Sequence, residues 1–177
     1  MQKLAVLAIA VIISATFVAA QTKPAPPAPK PAAAAAGNAM SVTWKCAAPN
    51  PVNVIPVSDM PGHAYGVEQV SCTATSGDIA GVKHKDGIGV EFLEAKGDNT
   101  TGHGIFVETL ANGDKITYSY QFKGTGKDNK LVSGSDTWQA TSGTGKFKGI
   151  TAKGTCTAKG NPDGSADFSC KGTYEMK

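Results

Sequence analysis

The domain that fills most of this 177-residue chain predicts an all-β fold: an antiparallel closed barrel of about eight strands, stapled by disulfides. Three observations predict it. Apolar and polar residues alternate in short runs, and no long stretch carries the 3.6-residue period of a helix. Turn residues interrupt those runs at roughly ten-residue spacing. Four cysteines, an even number, stand at long spacings that suit disulfides in an oxidising compartment better than metal ligation.

In chain order, residues 1–20 (MQKLAVLAIAVIISATFVAA) read as a cleaved signal peptide. One lysine precedes an apolar run from Leu4 to about Ile13, and Val18 and Ala20 stand where signal peptidase needs small side chains before Gln21. The run is too short for a membrane anchor, which needs about 20 apolar residues. No later segment approaches that length, so no membrane span is expected in the mature form. Residues 21–39 are dominated by proline and alanine and cannot bury enough surface to offset their chain entropy. They read as a semi-rigid tether. The domain itself is expected over residues 40–177.

Eight strands are expected there. They are SVTWKCA (41–47), AYGVEQVSCTA (64–74), GIGVEFLEA (87–95), GIFVETL (104–110), DKITYSYQF (114–122), SDTWQAT (135–141), KGTCTAKG (153–160) and SADFSCKGTYEM (165–176). In the fifth, Ile116, Tyr118, Tyr120 and Phe122 share one face. The Asn-Gly turn at 112–113 joins it to the strand before as a hairpin. Ile88, Val90 and Phe92 share a face of the third, and Glu94 shares it with them. Residues 47–63 are left as loop. The NPDG turn (161–164) folds the last two strands together, placing Cys156 nearly opposite Cys170 on their apolar faces. By elimination Cys46 pairs with Cys72.

Charge removes one class of partner. Lys3, Lys23 and Lys30 lie outside the domain, leaving 14 lysines against 14 carboxylates, and the chain has no arginine. A nucleic-acid binder shows a basic excess and arginine forks; this domain has neither, so no nucleic-acid partner is expected.

The stretch SGTGKFKGITAKG (142–154) raises the question of phosphate binding. A phosphate loop needs Gly-x-x-x-x-Gly-Lys-Ser/Thr opening a helix. Ala140 stands where the first glycine belongs and Phe147 follows Lys146. The earlier copy at 124–127 fails in the same way and reads as a hairpin loop. In its setting, residues 133–160, the stretch resembles the closing segment of the allene oxide cyclase and dirigent-like β-barrels. Ser142 replaces the first glycine of their turn, while Gly143, Thr144, Gly145, Lys146, Phe147, Gly149 and Gly154 match. The resemblance covers roughly residues 114–160. It implies an eight-stranded antiparallel barrel around a small apolar cavity. Gly143, Gly145 and Gly149 would serve the turn, with Phe147 and Ile150 plugging a barrel end. Cyclases and dirigent proteins of this type work through polar and acidic groups inside the barrel, and dirigent proteins also rely on arginine. No catalytic position carries over to this chain.

Candidates from the residues themselves are few. His63, His84 and His103 fall at expected strand edges or loops, where an exposed imidazole is the plain reading and no metal site is expected. Glu94 is the one catalytic candidate, since a carboxylate inside an apolar barrel would have a raised pKa. Its place beside Lys96 near a strand end argues instead for a solvated carboxylate. Phe92, Tyr118, Tyr120, Trp138, Phe168 and Tyr174 are candidates to line a cavity, or else simply fill the barrel. The reading that results is a secreted or periplasmic barrel binding a small apolar molecule, without cofactor. A non-catalytic envelope or interaction protein, and a cyclase-like isomerase, are the alternatives.

Overall fold

The computed structural model describes residues 37–128 and 130–177; the leader and residues 21–36 of the tether lie outside it. Nine strands run in order: β1 (Asn38–Cys46), β2 (Val52–Pro56), β3 (His63–Ile79), β4 (Val82–Lys96), β5 (Asn99–Leu110), β6 (Lys115–Lys127), β7 (Lys130–Gly143), β8 (Thr151–Gly160) and β9 (Ala166–Glu175). From β3 to β9 each strand pairs antiparallel with the next. β1 pairs with β9 on one side and β3 on the other, which closes an eight-stranded barrel. β2 lies outside the closure, paired only with the first part of β3.

The eight expected strands are β1 and β3–β9. Most of their bounds reach further than expected, and one strand is added. β1 starts at Asn38, within the segment assigned to the tether, because Asn38 and Ala39 pair with Tyr174 and Thr173. β2 falls in the supposed loop; all five of its residues are exposed, so no alternation announces it. β3 and β4 run on to a tight turn at Ala80 and Gly81, both with positive φ (51° and 77°). The second residue suits glycine, but Ala-Gly is a weaker hairpin signal than Asn-Gly. Likewise residues 124–127 are not a loop: they end β6 and pair with β7.

Both disulfides join residues directly opposite in the ladder, Cys46 with Cys72 and Cys156 with Cys170. All four side chains point inward and are buried.

One end of the barrel is plugged. Thr144 to Ile150 turn back over it through a short 3-10 turn, Gly145–Phe147. Phe147 is fully buried among Ile79, Leu110, Ile116 and Ile150. Three bonds clamp the turn down. Lys146 N donates to Asp114 at 3.1 Å, Lys115 N donates to Thr144 Oγ1 at 2.8 Å, and the Lys146 ammonium donates to the Ala80 carbonyl at 2.6 Å. Lys146 of the supposed phosphate loop is therefore a fastener between hairpins.

Away from the plug, aromatic rings reach over inward-facing glycines. Phe106 covers Gly87, Tyr120 covers Gly104, Phe122 covers Gly124 and Gly134, and Trp138 covers Gly154 and Gly172. A Cβ at Gly104 would stand 2.5 Å from the Tyr120 hydroxyl, and one at Gly134 would stand 2.6 Å from the Phe122 ring. No side chain but hydrogen fits beneath these rings.

Two substitutions test this framework. Phe147→Ala should destabilise the barrel by about 3–5 kcal/mol in denaturant melts, the usual loss for a fully buried phenylalanine. Gly87→Ala should cost about 1–3 kcal/mol through overpacking against Phe106, and the penalty should shrink in the Phe106→Leu background. A penalty unchanged by Phe106→Leu would show that the ring is not what excludes the Cβ.

Candidate functional site

Between the plug and the opposite mouth, the barrel retains a cavity of about 100 Å³. Alternation places its walls. β1 supplies Met40, Val42 and Trp44, β6 supplies Tyr118, Tyr120 and Phe122, β7 supplies Asp136 and Trp138, and β9 supplies Phe168. Both disulfides form part of the wall, with Val70, Phe106 and the carboxylates Glu91 and Glu108. The surface is predominantly apolar, with acids at two levels.

The deeper level is a closed polar cluster. The Glu108 carboxylate, 1% exposed, bonds to His84 Nδ1 through one oxygen and accepts from the Tyr118 hydroxyl at 2.9 Å through the other. Burial first, and then Glu108 beside it, pushes the Tyr118 hydroxyl well above its ordinary range. Nε2 of His84 is buried without a partner. The register shift between His84 and Asp86 turns the imidazole inward.

The upper level lies toward the mouth. Glu91 faces Glu68 directly across the β3–β4 ladder, with the Tyr120 hydroxyl beside it. Burial, and then Glu68 and Asp136, push the Glu91 carboxyl up to about 8. Burial likewise pushes Asp136 up to about 6, against a bond from the Cys156 backbone, and raises Glu68. Tyr120 is raised by burial and by Glu91. Asp136 Oδ1 and Trp138 Nε1 are buried with no hydrogen-bond partner. Among the described residues no three His, Cys, Asp or Glu side chains gather at metal-holding range, and no helix is long and apolar enough to cross a membrane.

Of the aromatic candidates, Tyr118, Tyr120, Trp138 and Phe168 line this cavity. Phe92 and Tyr174 do not. Phe92 is 54% exposed and stacks on His103 outside the barrel. Tyr174 belongs to the plugged end, where its hydroxyl accepts from Ala80 N at 3.0 Å. Glu94 shares the face of Phe92 as expected, but that face is the exterior. There it accepts from the Tyr65 hydroxyl at 2.9 Å, bonds to His63 at 3.1 Å and pairs with Lys96 at 2.9 Å. Lys96, then Tyr65 and His63, hold its carboxyl down to about 2. It is a surface ion-pair residue, and the inward carboxylate of this strand is Glu91.

Two of the three histidines are buried, not exposed. His84 sits in the deep cluster, and His63 is held between Asp59 (2.6 Å) and Glu94. His103 is exposed on the outer face of β5. The sequence did carry a signal for Glu91: Gly87-x-Gly89-x-Glu91 marks an inner face kept small for neighbouring rings, against Ile88-x-Val90-x-Phe92 on the other.

No family model matches the chain, and no curated protein matches it. Among solved structures it is similar to a pterocarpan synthase dirigent protein, at 9% identity over 89% of this chain and 100% of that one, with a TM-score of 0.46. Likeness at that level assigns no family or activity, and the barrel stands on its own ladder of strand pairs.

The raised Glu91 sets a pH dependence. The folded state holds this proton up to about pH 8, the unfolded chain only to about 4.5. Between those values the folded state binds more protons, so stability falls as pH rises through the window, and the loss is complete above it. Glu91→Gln should match the parent chain near about pH 4 and exceed it by about 2–4 kcal/mol near about pH 9 in denaturant melts. Equal pH profiles for the two proteins would show Glu91 to be solvated.

Proposed function

We propose that this barrel is a binding module that holds a small, largely apolar molecule in its lumen. The observation that carries the reading is the cavity of about 100 Å³ among Trp44, Phe106, Tyr118, Tyr120 and Trp138. A barrel built only to be filled has no reason to set its rings over glycines. The volume suits a single ring or a short branched chain, well below the 300–1,000 Å³ of drug-sized pockets.

The site of action we infer is an oxidising compartment outside the cytoplasm. Two disulfides support it, together with the signal-like residues 1–20. Kinship with the allene oxide cyclase and dirigent-like barrels, suggested by the turn at 143–149, fits the same reading. A cyclase-like activity has one observation in its favour, the buried Glu108 beside Tyr118. Both carboxylate oxygens already have partners inside the protein, which leaves the cluster better suited to holding shape than to moving protons.

Native mass spectrometry of the protein purified from its own source tests the reading. A bound small molecule, lost on denaturation, is the expected outcome. Trp44 and Trp138, the chain's only two tryptophans, both line the cavity, so their emission should change when the ligand is stripped. Val70→Phe, which fills the lumen, should abolish the adduct while cooperative unfolding persists. A ligand-free mass, joined to unresponsive emission across small aromatic compounds both neutral and cationic, would remove the proposal in favour of a filled structural barrel.

A further inference from the structure

The lumen contains acids without a cation. Glu91, Glu108 and Asp136 line it, Glu68 faces Glu91, and no lysine stands among the lining residues. The chain has no arginine to offer. His84 answers Glu108, which leaves Glu91 and Asp136 uncompensated. The titratable groups around Glu91 are Glu68 from β3, Tyr120 from β6 and Asp136 from β7, with Glu108 and its His84 and Tyr118 partners at the deeper level. β1, β8 and β9 bring no titratable side chain to the lining, their cysteines being bonded.

A second observation points the same way. Asp136 Oδ1, on the inner face of β7, is buried with no hydrogen-bond partner. Buried polar atoms are normally satisfied. An unsatisfied carboxylate oxygen on a cavity wall marks the place of a donor the chain does not supply, and an ammonium group is such a donor. Tyr120 and Trp138 stand directly opposite each other, and Phe122 stands opposite Asp136. Aromatic faces beside carboxylates are the chemistry that holds ammonium groups.

From this arrangement, and resting on the binding-module reading above, we propose that the ligand is a small organic cation, an ammonium group carried on an apolar body. The ammonium sits between Glu91 and Asp136, and the body lies against Trp138 and Tyr120. An inorganic ion is disfavoured, because no three of the described His, Cys, Asp and Glu side chains gather at metal-holding range. Without a cation, burial keeps Glu91 protonated to about pH 8 and Asp136 to about 6. A bound ammonium favours the ionised forms. Binding therefore expels protons, and affinity rises with pH.

The test titrates the protein with benzylammonium and with benzyl alcohol, a neutral molecule of nearly the same shape. Tryptophan emission and calorimetry follow binding at about pH 5.5 and about pH 8.5, a range across which the carboxyls titrate. Benzylammonium should bind at least ~10-fold tighter at the higher pH, with a heat that varies with buffer and so reports proton release. Benzyl alcohol should show no such gain. Glu91→Gln and Asp136→Asn should each weaken benzylammonium at least ~10-fold at the higher pH, whereas Glu94→Gln, on the outside, should not. Should a lumen variant fail to fold, the parent protein's pH comparison decides alone. Benzylammonium binding no tighter than the alcohol, or independent of pH, overturns the cation and leaves the binding module standing. If neither compound binds, both fall.

Discussion

Rings fit inside this barrel because the inner face offers glycine beneath them, and much of the remaining architecture follows from that contact. Eight strands give an interior that ordinary side chains just fill. Here Phe106, Tyr120, Phe122 and Trp138 sit over glycines of the inner face. A ring in that position covers backbone that would otherwise be thinly packed, and it leaves the axis of the barrel open. The high glycine content, 21 residues in all, is thus a packing device as much as a turn device.

An open axis needs support elsewhere, because inward glycines weaken their own strands through backbone entropy and the buried acids raise the energy of the fold as pH rises. Two features offset this. The plugged end concentrates Ile79, Leu110, Ile116 and Phe147, all fully buried, under a turn clamped to two hairpins. The disulfides close loops of sequence separation 26 and 14, each of which stabilises by about 3 kcal/mol in the chain-entropy picture. Cys46–Cys72 spans the β1–β3 seam that completes the barrel. The stiff end and the bonded wall carry the stability. The opposite end carries strained electrostatics, the division found where a site works against its own fold.

The strands, the hairpin at 112–113, the inward face of β6 and both cysteine pairs were legible in the sequence, because alternation and a two-residue turn leave little choice of register. The inner face of β4 reads the wrong way round on size alone. Ile88, Val90 and Phe92 are the larger apolar set, and burial normally follows size. In this barrel the inner positions of β4 are already covered by rings from β5 and β6, so Gly87, Gly89 and Glu91 face inward and the bulky set faces out. That single reversal carried Phe92 and Glu94 to the exterior and hid Glu91. His84 was missed because Ala80-Gly81 is a weak hairpin signal, and the bulge at Lys85 shifts the parity of everything before it. β2 gave no periodic signal at all, since all five of its residues are exposed among the described residues.

The outward apolar set on β4 has a structural use of its own. Val90 stands opposite Ile105, Ile88 opposite Val107, and Phe92 opposite His103, on which it stacks with ring centroids 5.6 Å apart. Gly87, Gly89, Gly102 and Gly104 lie along the inner faces of these same two strands. Cross-strand pairs of β-branched and aromatic residues contribute about 0.2–1 kcal/mol each. Placed outside, they stabilise the pairing of two strands whose inner side chains have been given up to make room for rings. An aromatic residue beside paired glycines restores strand stability in the same manner. The exposed apolar stripe and the acid-lined lumen are therefore two faces of one arrangement. Moving the bulk of β4 inward would bury the stripe, but it would displace Phe106 and Tyr120 and close the cavity.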